Sequence, residues 1–338
     1  MKIQSVTIKD IAAEVGMSVS SVSRALSDHP HISEDTKQKV KEAATKLGYR
    51  YNALAAALRN SRSKTIGLIV PRISMSFQSA VITAIQNKLQ EFNYNVIICQ
   101  SNESPEIERN LVQILNASRV DGLIVSCSIY TEDFSHFSEY QKEGVPIIFY
   151  DRVPTNFQAH KIKGDDFFGA YQSTMHLIDK GCERIVHIGG PLSCNQYVER
   201  FNGYKEALVK KKKCFEEGMA HFHELSQENA LKSVSELYDR YKPDAFFTSN
   251  DSAALAVIQY AKSKNLNIPK DLKLVGYSND NRTTISCPQI SSVEQFPHEM
   301  GEQAAILMMD LLDNKVKTGR SFISLTTPVE LIERESSF

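Results

Sequence analysis

The chain has 338 residues, 42% of them hydrophobic and 23% charged. This is the composition of a folded globular protein; it excludes a disordered chain, and the length suggests two or three domains. Net charge is −1, but residues 1–64 hold 11 basic and 6 acidic side chains, a balance of +5, against −6 for the remainder. A basic head on an acidic body points to a polyanion-binding module joined to something else, with chance composition as the bland alternative. No apolar run approaches the roughly 20 residues of a membrane span. Lys2, Lys9, Asp10 and Glu14 argue against a secretory signal. The six cysteines (Cys99, Cys127, Cys182, Cys194, Cys214, Cys287) are scattered without a C-x-x-C pair. They read as reduced thiols of a cytoplasmic protein. His221 and His223 in AHFHE lack the partners of a zinc site and read as an ordinary surface strand. No metal set and no cofactor motif is expected.

Three short helices are expected in the first fifty residues. Thr7 can cap the first, with Asp10 three residues on, and Ile8, Ile11, Ala12 and Val15 share its apolar face. Gly16 supplies a turn. Ser18 can cap the second helix, where Val22 and Leu26 face inward. Ser33 caps the third, whose inner face is Val40, Ala43, Ala44 and Leu47 and whose end is Gly48. Two helices joined by a glycine turn and braced by a third form a helix-turn-helix pattern, although a generic bundle has the same outline. The outward face of the second helix favours the former. Val19, Ser20, Ser23 and Arg24 leave its first turn small enough to enter a major groove.

The stretch VTIKDIAAEVGMSVSSVSRAL, within residues 6–59, resembles the DNA-binding head of the LacI/GalR family of bacterial transcription regulators. By that resemblance Val19, Ser20 and Arg24 fall where the family reads bases. Thr7, Ser18, Ser23 and Tyr49 fall where it contacts the backbone or supports the docked head. Ser27 stands where an asparagine is common. Residues 52–59, NALAAALR, have a cap in Asn52 and helix-favouring alanines, but so short an isolated helix is marginal in water. It is expected to fold when two copies meet on DNA, a permanently formed linker helix being the alternative. The resemblance implies that Leu58 wedges into the minor groove, with Ala55 beneath and Arg59 beside the phosphates. Tyr51 stands where the family usually has proline.

From Thr65 short β-branched runs alternate with amphipathic helices: TIGLIV, NVIICQ, VDGLIVS, PIIFY, RIVHIGG, DAFFTS and LKLVGYS. Continuous apolar runs suit parallel strands covered on both faces, and the alternation predicts a doubly wound α/β architecture in two halves. A late helix (298–312) and a last strand (323–332) are expected to cross back over. Ligands in such folds bind beyond the C-terminal ends of the strands. Asp151 and Arg152, Gly189 and Gly190, Asn250 and Asp251, and Ser278, Asn279 and Asp280 all occupy strand exits. Carboxylate, amide and guanidinium groups there suit a polyhydroxylated ligand. Singly, each is as well explained as a turn or helix cap.

The resemblance extends over this part too, which is similar to the periplasmic-binding-protein-like effector domain of the same regulators. It implies effector contacts at Phe77, Asp151, Arg200, Asn250 and Ser278. GYSND carries Ser278 and Asn279 where a pair of aspartates is usual, and PRISMSF lacks the proline typical of its middle. The expected organisation is a helix-turn-helix domain at 1–50, a hinge helix and linker at 51–64, and an effector-binding and dimerisation domain at 65–338. The last divides into about 65–160 plus 291–325 and about 161–290 plus 326–338.

The lysine run at 210–213 reads as a solvated helix end rather than a nucleic-acid patch. No nucleophile elbow or phosphate loop is present, and RIVHIGG lacks the full G-x-G-x-x-G, so no enzyme is expected. An uptake receptor would require export and no head. The reading is therefore a cytoplasmic, homodimeric repressor that binds a pseudo-palindromic double-stranded DNA operator. A small molecule, a sugar or sugar derivative by resemblance, sits in the cleft and controls it. The alternative is a regulator controlled by a phosphorylated partner protein or a purine-like co-repressor.

Overall fold

The computed structural model describes residues 6–49, 62–315 and 321–338. It separates into two compact units, with the division of the chain falling between Ser63 and Lys64. The first contains α1 (Ile8–Val15), α2 (Val19–Leu26) and α3 (Glu34–Leu47). Each start is fixed by a polar side chain. The Asp10 carboxylate accepts from the Thr7 amide and hydroxyl, Ser18 Oγ accepts from the Ser21 amide at 3.1 Å, and Ser33 Oγ accepts from the Thr36 amide. Gly16 and Gly48 close α1 and α3 with φ of 67° and 69°, a left-handed conformation that disfavours other residues. Ile11, Val22, Ala25 and Val40 are fully buried where the helices meet.

In chain order the second unit begins with β1 (Thr65–Val70), α4 (Ser76–Glu91), β2 (Asn95–Gln100), α5 (Pro105–Ala117), β3 (Gly122–Val125), α6 (Ser138–Lys142), β4 (Ile147–Tyr150) and β5 (His160–Gly164). It continues through α7 (Asp166–Asp179), β6 (Ile185–Gly189), α8 (Asn195–Lys210), β7 (Ala220–Phe222), α9 (Gln227–Tyr241), β8 (Ala245–Thr248), α10 (Asp251–Ser263), β9 (Lys273–Tyr277), α11 (Arg282–Ile285) and β10 (Ser291–Glu294). It ends with α12 (Pro297–Leu312), β11 (Ser324–Thr327) and β12 (Glu330–Ile332). Two six-stranded sheets result, in the orders β11-β5-β4-β3-β1-β2 and β12-β10-β9-β8-β6-β7. Every pairing is parallel except β10 with β12. Each sheet reverses its strand order at β1/β3 or β6/β8, the switch point where such folds open a crevice.

The central strands are buried on both faces, which is why they read as unbroken apolar runs. Helices cover them at two tight crossings. In α8, Gly203 lets the backbone of α7 approach so closely that a Cβ would stand 2.2 Å from the Phe167 carbonyl oxygen. In α12, a Cβ on Gly301 would stand 2.7 Å from the Val81 carbonyl oxygen of α4.

The expected halves need correction at their edges. β5, placed at the start of the second half, lies in the first sheet beside β4, and β10, assigned to the first half, lies in the second sheet beside β9. The chain crosses between the lobes after Gly164, after Glu294 and after Thr327. The single strand expected at 323–332 is two strands in different sheets. Pro328 interrupts it by removing one amide donor, and the chain changes lobes there. β5 and β10 escaped the strand pattern because HKIKG and SSVE are largely polar. HKIKG nevertheless alternates buried and half-buried residues, and the first three residues of SSVE are all buried.

The lysine run ends α8, with Lys211 on Asp179 and Lys213 on Glu183. β7 is an edge strand carrying His221, whose Nδ1 meets Ser233 Oγ at 3.2 Å. Among the described residues no cluster of metal-ligating side chains occurs, and no helix is long and apolar enough to cross a membrane.

Candidate functional site

Two surfaces concentrate the sequence candidates, one in each unit. In the head, α2 stands on Val22 and Ala25, which are fully buried, and turns its other side outward. Val19 is 42% exposed, and Ser20 and Arg24 are exposed with it. Thr7 and Ser18 are exposed beside them, while Ser23 and Tyr49 are half-buried. An exposed valine at a helix start, flanked by small hydroxyls and an arginine, can follow a groove edge. The Ser27 hydroxyl is turned back on the Ser23 and Arg24 carbonyls at 3.0 and 3.2 Å. Asn52, Ala55, Leu58 and Arg59, and with them Tyr51, lie outside the described residues.

The second surface is a cleft of about 970 Å³ between the two lobes of the large unit. Its wall comes from strand exits: residues 72–77 after β1, Arg152 after β4, Glu224 to Gln227 after β7, Asn250 after β8, and Ser278 and Asp280 after β9. Several bonds join the lobes beside it. Arg72 Nη2 reaches Glu224 Oε1 at 3.0 Å, Ser193 Oγ donates to the Ile129 carbonyl at 2.8 Å, and the Val153 amide donates to Asn195 Oδ1 at 2.9 Å. Each arginine of the wall has a carboxylate partner in the same wall: Arg72 with Glu224, Arg152 with Glu103, and Arg282 with Asp280.

Of the five effector candidates, Phe77, Asn250 and Ser278 line this cleft. Asn250 also caps α10, its Oδ1 accepting from the Ala253 amide at 2.8 Å, and Ser278 Oγ donates to Gln295 Oε1. Asp151 and Arg200 are not part of the wall. Asp151 is buried and takes a 3.2 Å hydrogen bond from Gln78 Nε2. Burial pushes its carboxyl up to about 6, against the pull of Arg152. Arg200 is 2% exposed and already engaged. Its Nε and Nη2 both reach Asp166 Oδ1 at 2.7 Å, Nη1 donates to the Ser249 carbonyl at 2.6 Å, and its guanidinium lies 3.6 Å from the Tyr277 ring centre. A guanidinium so fully used supports the lobe rather than a ligand.

The other strand-exit candidates divide in the same way. Asn279 turns inward to Glu294 and Arg334. Asp251 lines the cleft but is 2% exposed; it accepts from Ser292 Oγ and the Asp280 amide, and burial pushes its carboxyl up to about 7. Sequence reasoning passed over Arg72, Glu103 and Glu224. Arg72 and Glu224 follow strands and were open to the strand-exit rule. Glu103 follows β2 in a loop whose ESPE text reads only as a helix start.

Residues 7–52 match the family described as bacterial regulatory proteins, lacI family, and residues 174–337 match the periplasmic binding protein-like domain. Catabolite control protein A of Priestia megaterium is 29% identical over 327 residues, 96% of this chain and 98% of that protein. The ribose operon repressor of Halalkalibacterium halodurans is 28% identical over 332 residues, 98% of this chain and 97% of that protein. Among solved structures, a complex of the transcriptional regulator CelR with cellobiose superposes with a TM-score of 0.75 at 25% identity, covering 98% of this chain and 99% of that one. The lac repressor dimer bound to operator and the anti-inducer ONPF superposes at 0.86 with 23% identity, covering 99% of this chain and 100% of that one, and so shares the fold. The head, the two-lobed α/β unit and these matches agree along the chain, whose N-terminal head is similar to the lacI family of bacterial regulatory proteins and whose large unit is similar to the periplasmic binding protein-like domain.

Proposed function

We propose that the protein is a cytoplasmic, homodimeric transcription repressor whose hold on a pseudo-palindromic operator is set by a sugar or sugar derivative in the cleft. The observation that carries this reading is the pairing of an outward-facing α2, bearing Val19, Ser20 and Arg24, with a polar cleft at the switch points of two sheets. Residues 1–50 serve as the reading head, 51–64 as the hinge, and 65–338 as the sensor. Val19, Ser20 and Arg24 approach base edges. Thr7, Ser18, Ser23 and Tyr49 address the backbone or steady the head. In the hinge Leu58 is assigned the minor-groove wedge, with Asn52, Ala55 and Arg59 as further DNA-binding residues. Phe77, Asn250 and Ser278 contact the effector directly, and Asp151 acts from behind the wall through Gln78 without touching it. The ribose operon repressor among the relatives and the CelR complex with cellobiose support the sugar assignment.

The arrangement requires no covalent chemistry. An effector that binds the DNA-competent and incompetent states with different affinities moves the balance between them. The test is selection from random duplex DNA with ligand-free protein at a stated salt concentration. Enrichment of a palindrome is expected and points to an inducer. No enrichment by folded, dimeric protein refutes an apo-binding repressor and turns the reading to a co-repressor.

A further inference from the structure

We propose that residues 128–131 are a rigid strap by which the lobe of the first sheet grips the other lobe, with Ile129 as the gripping side chain and Glu108 as the positioning residue that aims it. The strap lies beyond the end of β3. Each of its backbone amides has an acceptor in its own lobe. The Ser128 amide donates to Glu108 Oε2 at 2.8 Å, the Ile129 amide to Glu103 Oε2 at 3.0 Å, the Tyr130 amide to Ser128 Oγ at 3.3 Å and the Thr131 amide to the Ser128 carbonyl at 3.2 Å. Glu108 stands in the first turn of α5 and is fully buried. Its Oε1 also accepts from Thr131 Oγ1 at 3.0 Å and meets His136 Nε2 at 3.1 Å. A carboxylate is costly to bury unless its oxygens are hydrogen-bonded, and these bonds come from residues 128–136. Asn102 and Glu103 have φ of 54° and 61°, two successive non-glycine residues in the left-handed region, which persists only where surrounding structure enforces it.

The Ile129 side chain is 4% exposed and forms an apolar cluster with Cys194, Tyr197 and Leu225. Those three stand around the start of α8 and after β7, in the other lobe. The Ile129 carbonyl accepts from Ser193 Oγ at 2.8 Å, and along the same seam the Val153 amide donates to Asn195 Oδ1 at 2.9 Å. The lobe opposite thus supplies the burial of Ile129, and separating the lobes uncovers the side chain and breaks both bonds. The Arg72–Glu224 pair joins the lobes as well, but between side chains 47% and 42% exposed, where water screens an ion pair. The grip therefore resides in the strap. Ile129, Tyr197 and Leu225 also line the cleft, so a molecule seated there bears on the strap directly. The strap is the element whose engaged and released positions an effector biases, and to that extent the inference rests on the reading of the cleft as the effector site.

The test is hydrogen exchange of the full chain without ligand, resolved to the Val153 amide, whose acceptor lies across the seam. Ile129→Ala is expected to raise exchange at Val153 about tenfold or more over wild type while the amides of β1 keep their wild-type rates. A Val153 amide that exchanges as in wild type overturns the strap. Glu108→Gln leaves one accepting oxygen for donors that now share two, and it is expected to speed exchange at Val153 as well as within 128–131. Faster exchange confined to 128–131 would mark a local structural role and overturn the positioning of Ile129 by Glu108. Should Ile129→Ala also speed exchange in β1, Ser193→Ala decides in its place, since it removes the donor to the Ile129 carbonyl alone. Should Glu108→Gln fail to fold, Thr131→Val takes over, deleting one hydroxyl bond to Glu108 with the side-chain shape kept. Each replacement is expected to raise exchange at Val153 about threefold or more, and no rise overturns the part it tests. No ligand or DNA enters the comparison. Its failure leaves the effector reading standing, and failure of that reading leaves the exchange result intact.

Discussion

Replacing Arg200 by methionine separates a supporting role for this residue from a ligand-binding one. The substitution deletes two contacts to Asp166 at 2.7 Å, a donor to the Ser249 carbonyl at 2.6 Å and the cation over the Tyr277 ring at 3.6 Å. Methionine fills much of the same space, so the dominant loss is electrostatic. It leaves Asp166, 1% exposed, as a buried carboxylate without its cation. Removing one partner of a buried ion pair costs about 3–5 kcal/mol. Burial already raises Asp166 above its ordinary 3.8, outweighing the pull of Arg200, and without Arg200 it rises further. A carboxyl whose folded pKa exceeds its unfolded one binds more protons when folded across that window. Its contribution to stability therefore falls as pH rises through the window and is regained on acidification. Urea unfolding of the Arg200→Met variant at neutral pH should show the full deficit, and at about pH 5 a smaller one. Adding Asp166→Asn should restore most of the stability at neutral pH. A deficit below about 1 kcal/mol, or one that does not change with pH, would refute a charge-based supporting role.

Asp251, pushed up to about 7 by burial, should draw stability down by about 1.4 kcal/mol per pH unit between about pH 4 and 7, and Asp251→Asn should flatten that slope in unfolding midpoints measured across the range. Gly203→Ala places a Cβ 2.2 Å from the Phe167 carbonyl oxygen and 2.9 Å from the Tyr171 amide, backbone atoms that cannot step aside, and should cost about 3 kcal/mol by denaturant titration. Ser18→Ala removes the acceptor of the Ser21 amide and should destabilise the head by about 1 kcal/mol in thermal melts, with the large unit unaffected. Arg24→Ala should relax sequence preference at one half-site position by about 1–3 kcal/mol in competition binding, whereas an equal loss on every sequence would make it a phosphate contact.

Periodicity and cap chemistry made the head legible: Asp10 accepts from the Thr7 amide at the start of α1, and the Ser18 and Ser33 side chains accept from early amides of α2 and α3. The buried parallel strands were legible because burial on both faces demands unbroken apolar text. β5 and β10 were not, since HKIKG and SSVE hold sheet positions through register with neighbours rather than through hydrophobicity. The strand-exit rule located the cleft, yet it cannot tell which side chain at an exit faces open space. Arg200 and Asp166 lie 34 positions apart and neutralise each other, and Glu103 and Arg152 lie 49 apart. Pairings over such separations depend on the topology and leave no local trace.

Control of DNA binding by the cleft is the central claim, and it is measured as the operator dissociation constant with and without a saturating sugar that binds the large unit. A coupled regulator shows a change of at least about fivefold, lost in Asn250→Ala. A sugar that occupies the cleft and leaves operator affinity unchanged would contradict the account.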